Sequence, residues 1–170
     1  HNSVVMQLPI GLEDDHRGVV DLITMKSFIF EGDNGEDIIE GEIPADMLAE
    51  AEERRVIMLD AVSMSHDGLM EAMLEETVTT ELIMEAVRVA TIARDVTPVF
   101  MGSAYKNVGV QPLIDAVCAF LPDPTEVVNE AVRVNKEGKE ESFVVEPDSE
   151  LPFMGLAFKL ESSYRGHVAT

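Results

Sequence analysis

The spacing of apolar and polar residues changes several times along the chain, and each change marks an element. Residues 3–11, SVVMQLPIG, form an apolar run closed by Pro9 and Gly11, which predicts a strand. Residues 18–30, GVVDLITMKSFIF, are rich in β-branched and aromatic side chains and predict one or two strands. EGDNGED (31–37) follows. Its Asn34-Gly35 pair is a hairpin-turn signal, so IIEGEI is read as the return strand.

The period then becomes helical. Pro44 suits a first turn, where a missing N–H costs nothing. Over residues 45–64 Leu48, Ala51, Met58, Leu59 and Val62 share one face, and Asp46, Glu50, Glu53 and Asp60 share the opposite one with Ile57 between them. A second helix is predicted over 67–76. A third, capped by Thr79 or Thr80, runs to about Ala93 with Leu82, Ile83, Ala86, Val87 and Ala90 inward. A short strand over 97–101 runs into Gly102-Ser103-Ala104 and then into a helix over 110–121, stopped by Pro122. Residues 123–150 combine prolines, charge runs and a Lys-Glu-Gly-Lys turn, and read as a linker holding short strands. Residues 151–170 alternate like a strand, turn at Arg165-Gly166 and enter another. The fold class is α/β.

Composition narrows the function. The 170 residues carry 33 acids and 12 bases, a net charge of −21, so most of the surface repels phosphate backbones and a basic partner is the natural expectation. A hydrophobic content of 46% supports a packed core. The single cysteine, Cys118, permits no internal disulfide, which fits a reducing, cytoplasmic compartment, and it is read as a packing residue on an apolar helix face. No apolar run is long enough to span a bilayer, and no signal peptide is visible.

Candidate chemistry is sparse. His1, His16, His66 and His167 are scattered without metal-ligand spacing, so no metal site is expected. DNGED lacks the glycine and glutamate that complete a calcium loop. Gly138-Lys139 is followed by Glu140, not by the Ser or Thr of a phosphate loop, and NKEG (135–138) ends in Gly where a guanine-reading motif has Asp. Two features remain. The acidic stripe is either a solvated helix face or a docking surface. The Gly102-Ser103-Ala104 turn is either a plain strand-to-helix connection or a place where backbone N–H groups meet a ligand.

Those same residues resemble the elongation factor G family of translational GTPases. VVMQLPIG is similar to the strand after the family's fourth guanine motif, GVVDLITMK to the start of its inserted subdomain and EIPADM to the opening of that subdomain's first helix. TIARDVTPVFMGSAYKNVGVQPLIDAV resembles the stretch holding the fifth guanine motif, LPDPTEV the exit from the GTPase domain, and LPFMGLAFKLESSYRGHVAT the start of the second, β-barrel domain. Tyr105 stands where the family usually has Phe, and Glu50 extends the acidic stripe beyond the family pattern.

The resemblance implies an α+β inserted subdomain over 1–96, the last strand and helix of a P-loop GTPase domain over 97–122, a linker over 123–150 and the start of a β-barrel over 151–170. It implies that the parent protein hydrolyses GTP to drive translocation on the ribosome. Ser103 and Ala104 would lie against the guanine of GTP or GDP, with Lys106 buttressing the loop. Asp46, Glu50, Glu53 and Asp60 would meet the basic C-terminal domain of the ribosomal stalk protein. The phosphate loop, switch regions and Asn-Lys-x-Asp motif are missing from these 170 residues, so no catalytic residue, bound cofactor or GTPase activity is expected of the chain alone. Neither nucleic acid nor membrane is expected to bind it. Two alternatives stay open: a ribosome-protection or release-type relative, and a stand-alone acidic adaptor without nucleotide chemistry.

Overall fold

A computed structural model describes residues 2–32, 35–135, 137–155, 157, 159–163 and 166–169, which divide into two units, 1–121 and 122–170. The predicted Asn34-Gly35 turn therefore lies outside the described residues at Asn34. The same holds for Arg165 in the second turn and for Lys136 in the third.

In the first unit the apolar run 3–11 is two strands. β1 (Ser3–Val5) pairs in parallel with β6 (Thr97–Val99), whereas β2 (Gln7–Ile10) enters an antiparallel sheet with β3 (Gly18–Asp21), β4 (Lys26–Glu31) and β5 (Asp37–Gly41), in the order β2-β3-β4-β5. Met6 is the joint. Its N–H donates to the Val99 carbonyl at 2.9 Å, and its own carbonyl accepts from the Leu22 N–H at 3.0 Å, so one buried residue serves both sheets. Pro9 falls on the sheet edge, where its missing N–H leaves no ladder bond unmade. The strand at 97 thus has a parallel partner within the chain.

Four helices follow: α1 (Leu48–Ser63), α2 (Asp67–Leu74), α3 (Thr80–Ile92) and α4 (Val110–Phe120). Thr79 caps α3, its hydroxyl accepting from the Leu82 N–H at 3.3 Å, and His66 caps α2 through Nδ1, which accepts from the Leu69 N–H at 3.0 Å. Met58, Val62, Leu69, Ile83 and Val87 meet Met6 and Leu22 in one core. Arg55 ties α1 to the end of β3, its guanidinium donating to the carbonyls of Leu22 and Ile23. Burial pushes that guanidinium below its usual pKa, against the pull of Asp21. Arg88 on α3 donates to the carbonyls of Ala119 and Leu121 at 2.9 and 3.0 Å, satisfying the open end of α4.

Three expectations are corrected here. α1 starts at Leu48, so Asp46 lies in the turn before it. Leu48 is exposed, because the residue at a helix's first position projects beyond the neighbours that cover Ala51 and Val62. Cys118 is exposed as well. It lies on the side of α4 where Leu113, Ile114 and Val117 are also open to solvent.

In the second unit the stretch read as a linker holds an antiparallel hairpin. β7 (Asn129–Val134) pairs with β8 (Glu140–Val145), Asn129 opposite Val145 and Val134 opposite Glu140. Arg133 spans the pair, stacking over the Phe143 ring at 5.7 Å and meeting Glu141 at 3.2 Å. Asn135 and Arg133 hold the Glu141 carboxyl below its usual pKa. A second hairpin joins β9 (Leu160–Ser163) to β10 (Gly166–Ala169). Residues 151–155 are not strand, although they alternate.

Candidate functional site

Residues 101–109 form a closed loop between β6 and α4. The Ser103 N–H donates to the Val108 carbonyl at 2.8 Å, and the Val108 N–H donates back to Ser103 at 3.0 Å. Inside that pair the Asn107 N–H donates to the Ala104 carbonyl at 3.3 Å, making a tight turn with Asn107 at φ 53°. The closure demands glycine on the α4 side. Gly109 has φ 75°, and a Cβ there would lie 2.4 Å from the Met101 carbonyl oxygen. Gly109 is also the residue from which α4 starts, so loop closure and helix start share one backbone position.

The loop is tied down from two directions. Lys106 Nζ donates to the Asp14 carbonyl at 2.7 Å and the Glu13 carbonyl at 3.3 Å, both in a short 3-10 turn over Glu13–Asp15. At its base, the Met101 N–H donates at 3.3 Å to the side-chain oxygen of Gln7, which is buried in β2. Val108 packs with Val19 and Phe30 in a small second core that Phe28 and Met101 flank.

Of the residues the sequence singled out, Ser103, Ala104 and Lys106 therefore come together in one loop. Ser103's N–H is used within it. Among the described residues the N–H groups of Ala104, Tyr105 and Lys106 donate to no protein acceptor. Ala104 and Tyr105 are exposed, Tyr105 fully. The chemistry on offer is a small exposed rim of backbone donors beside a methyl group and the Ser103 hydroxyl. It suits the edge of a flat polar ring carrying a carbonyl. It does not suit a metal: among the described residues no group of three or more His, Cys, Asp or Glu side chains is placed to hold one.

The acidic residues are arranged differently. Asp46, Glu50, Glu53 and Asp60 are all exposed. Among the described residues only Glu50 of these four has a charge partner, Arg54 one helical turn on, at 4.0 Å. The stripe is not purely polar, since Val56 and Ile57 are about half exposed within it, at 55% and 52%. Three residues tied to the loop carried no sequence signal for that role: Gln7, Glu13 and Asp14. A glutamine inside the apolar QLPI strand is the one anomaly that could have pointed to a buried polar contact.

These features define a mixed α/β chain whose last parallel strand ends in a closed, small-residue turn before a helix. The chain is related in sequence to elongation factor G along nearly its whole length. It is 57% identical over 168 residues to elongation factor G 2 of Anaeromyxobacter dehalogenans, covering 99% of this chain and 24% of that protein. Elongation factor G 1 of Borreliella burgdorferi is 52% identical over 168 residues, covering 98% and 24%. The chain thus spans about a quarter of the length of the curated relatives it matches. A solved structure from Thermus thermophilus shares the fold at a TM-score of 0.63 and 22% identity, over 98% of this chain and 26% of that one. No family model matches the chain. Among the described residues no helix is long and apolar enough to cross a membrane.

Proposed function

We propose that the chain is the part of a translocating, GTP-hydrolysing elongation factor that supplies one wall of the guanine pocket. The observation that carries this reading is the 101–109 loop, closed by Ser103 and Val108, in which the N–H groups of Ala104, Tyr105 and Lys106 donate to no protein acceptor among the described residues. Ala104 and its neighbours would donate to the guanine carbonyl, Ser103 would lie against the base, and Lys106 would hold the loop from behind. The phosphate-binding and hydrolytic groups would come from other parts of the longer protein, since no phosphate-loop pattern occurs in these residues. In this reading residues 1–96 are the inserted subdomain, 97–122 the end of the GTPase domain, 123–150 a linker and 151–170 the start of a β-barrel.

The acidic face supports a second role in the same protein. Glu50, Glu53 and Asp60 with Val56 and Ile57 make an exposed surface both acidic and apolar, suited to a basic partner such as the C-terminal domain of the ribosomal stalk protein. The same surface is the basis for the competing reading, a stand-alone acidic adaptor, which requires no nucleotide. The names of the relatives favour the elongation factor over the ribosome-protection alternative.

The test is calorimetric titration of GDP into a full-length elongation factor G whose matching stretch is replaced by these 170 residues, with and without Ala104→Asp. A carboxylate beside the guanine carbonyl should weaken GDP binding by about tenfold or more, equivalent to about 1.4 kcal/mol. Unchanged affinity overturns the reading.

A further inference from the structure

We propose that the β4–β5 hairpin positions the 101–109 loop for its base contact, with Gly35 and Gln111 as the positioning residues; the inference rests on the guanine-facing reading above. Three observations converge on it. Gly35, at a hairpin tip, is buried, whereas Gly32 and Glu36 around it are exposed. It is buried against the loop: a Cβ on Gly35 would lie 2.8 Å from the Lys106 carbonyl oxygen and 2.9 Å from that of Asn107, and its φ is 63°.

The second observation is polar. The Gly35 carbonyl accepts from Asn107 Nδ2 and from Gln111 Nε2, each at 3.4 Å. These contacts are long, but they converge on one acceptor from the loop and from the first turn of α4. Gln111 makes its contact while its own Oε1 is buried without a hydrogen-bond partner. An amide held so has its direction set by packing and by Gly35, since turning it would remove the one bond it makes.

The third is apolar. Phe30, near the end of β4 where the hairpin begins, shares the small core with Val108, the residue that closes the loop. The hairpin therefore touches the loop through backbone contact, amide hydrogen bonds and a buried side-chain pair. All three contacts run through residues 106–108 and Gln111, and none through Ala104 or Tyr105. A shift of Gly35 must move the Lys106 and Asn107 carbonyls, and with them the peptide plane that carries the Asn107 N–H bonded to Ala104. That is the route by which a hairpin far from 104 in sequence sets where the Tyr105 N–H points, since it shares a peptide plane with the Ala104 carbonyl.

The test uses the same full-length chimera with Gly35→Ala and, separately, Gln111→Ala. Two ligands are compared by titration and by stopped-flow dissociation: GDP, and the 5′-diphosphate of 2-aminopurine riboside, which lacks the carbonyl the loop would contact. Gly35→Ala should weaken GDP by about tenfold and Gln111→Ala by about two- to threefold, through faster dissociation, with the 2-aminopurine nucleotide unaffected. Equal weakening of both ligands would mean a general structural role and overturn the proposal, as would unchanged GDP binding in both variants. If Gly35→Ala does not fold, Gln111→Ala decides alone. If the unsubstituted chimera holds both nucleotides equally well, the base-contact reading itself fails.

Discussion

The 101–109 loop and the acidic face of α1 were singled out by equally faint patterns, yet the structure treats them very differently. The loop is over-determined. It is closed by a reciprocal backbone pair, anchored by Lys106 to two carbonyls, braced by Gln7 and Gly35, and dependent on a glycine at 109. The acidic face is unconstrained, with every carboxylate exposed and one ion pair at 4.0 Å. Strained or glycine-only backbone persists only where its surroundings hold it. Exposed charge persists anywhere solvent can reach it. The loop therefore has a fixed geometry to offer a ligand, and the helix face has only a field and a little apolar area.

That difference orders the predictions. Gly109→Ala should have the largest effect. The new Cβ meets the Met101 carbonyl in a left-handed conformation, and urea unfolding should show a loss of about 2–3 kcal/mol. A loss below about half a kcal/mol would show the loop to be adaptable and erase the contrast. Lys106→Met should come next, removing the two bonds to Glu13 and Asp14 for about 1–2 kcal/mol by the same measurement.

On the helix the stability change should be near zero and the binding change salt-dependent. Glu53→Lys with Asp60→Lys should leave unfolding within about 0.5 kcal/mol of the parent. The pair should weaken binding to a basic stalk domain by about three- to tenfold at low salt, with the difference fading at high salt as screening sets in. Affinity unaffected by both reversals would make the stripe a solvated face. The smallest effect concerns Lys26, which pairs with Glu40 across β4 and β5 and whose pKa is raised above its usual 10.5 by that carboxylate. A raised value means the pair contributes fully below the ordinary lysine range and is lost as pH rises through the folded value. An alkaline titration should thus show a slight extra decline that Lys26→Met removes.

Periodicity reached a good part of this fold. The spacing of Ile83, Ala86, Val87 and Ala90 defined α3, and Thr79 supplies its cap as a hydroxyl at that position should. What stayed hidden was nonlocal or carried by backbone. Residues 3–11 look like one strand because both of its halves are apolar, and the change of sheet at Met6 depends on Val99 and Leu22, which local composition does not report. Lys106 bonds to carbonyl oxygens, which every residue has, so no pattern around Glu13 and Asp14 announces the contact. A helical period also shows which residues share a face without showing what covers it, hence the exposure of Leu48 and Cys118. The candidate loop was legible as small residues after a strand. Its bracing was not.

The central claim is that the free N–H groups of residues 104–106 face a guanine base while α1 does not. Hydrogen–deuterium exchange on the full-length chimera, with and without saturating GDP, tests it most directly. The account predicts slowed exchange in the peptide covering 103–107 on adding GDP and no change in the peptide covering the outer face of α1, residues 48–63. Saturated GDP binding with no protection at 103–107 would contradict it.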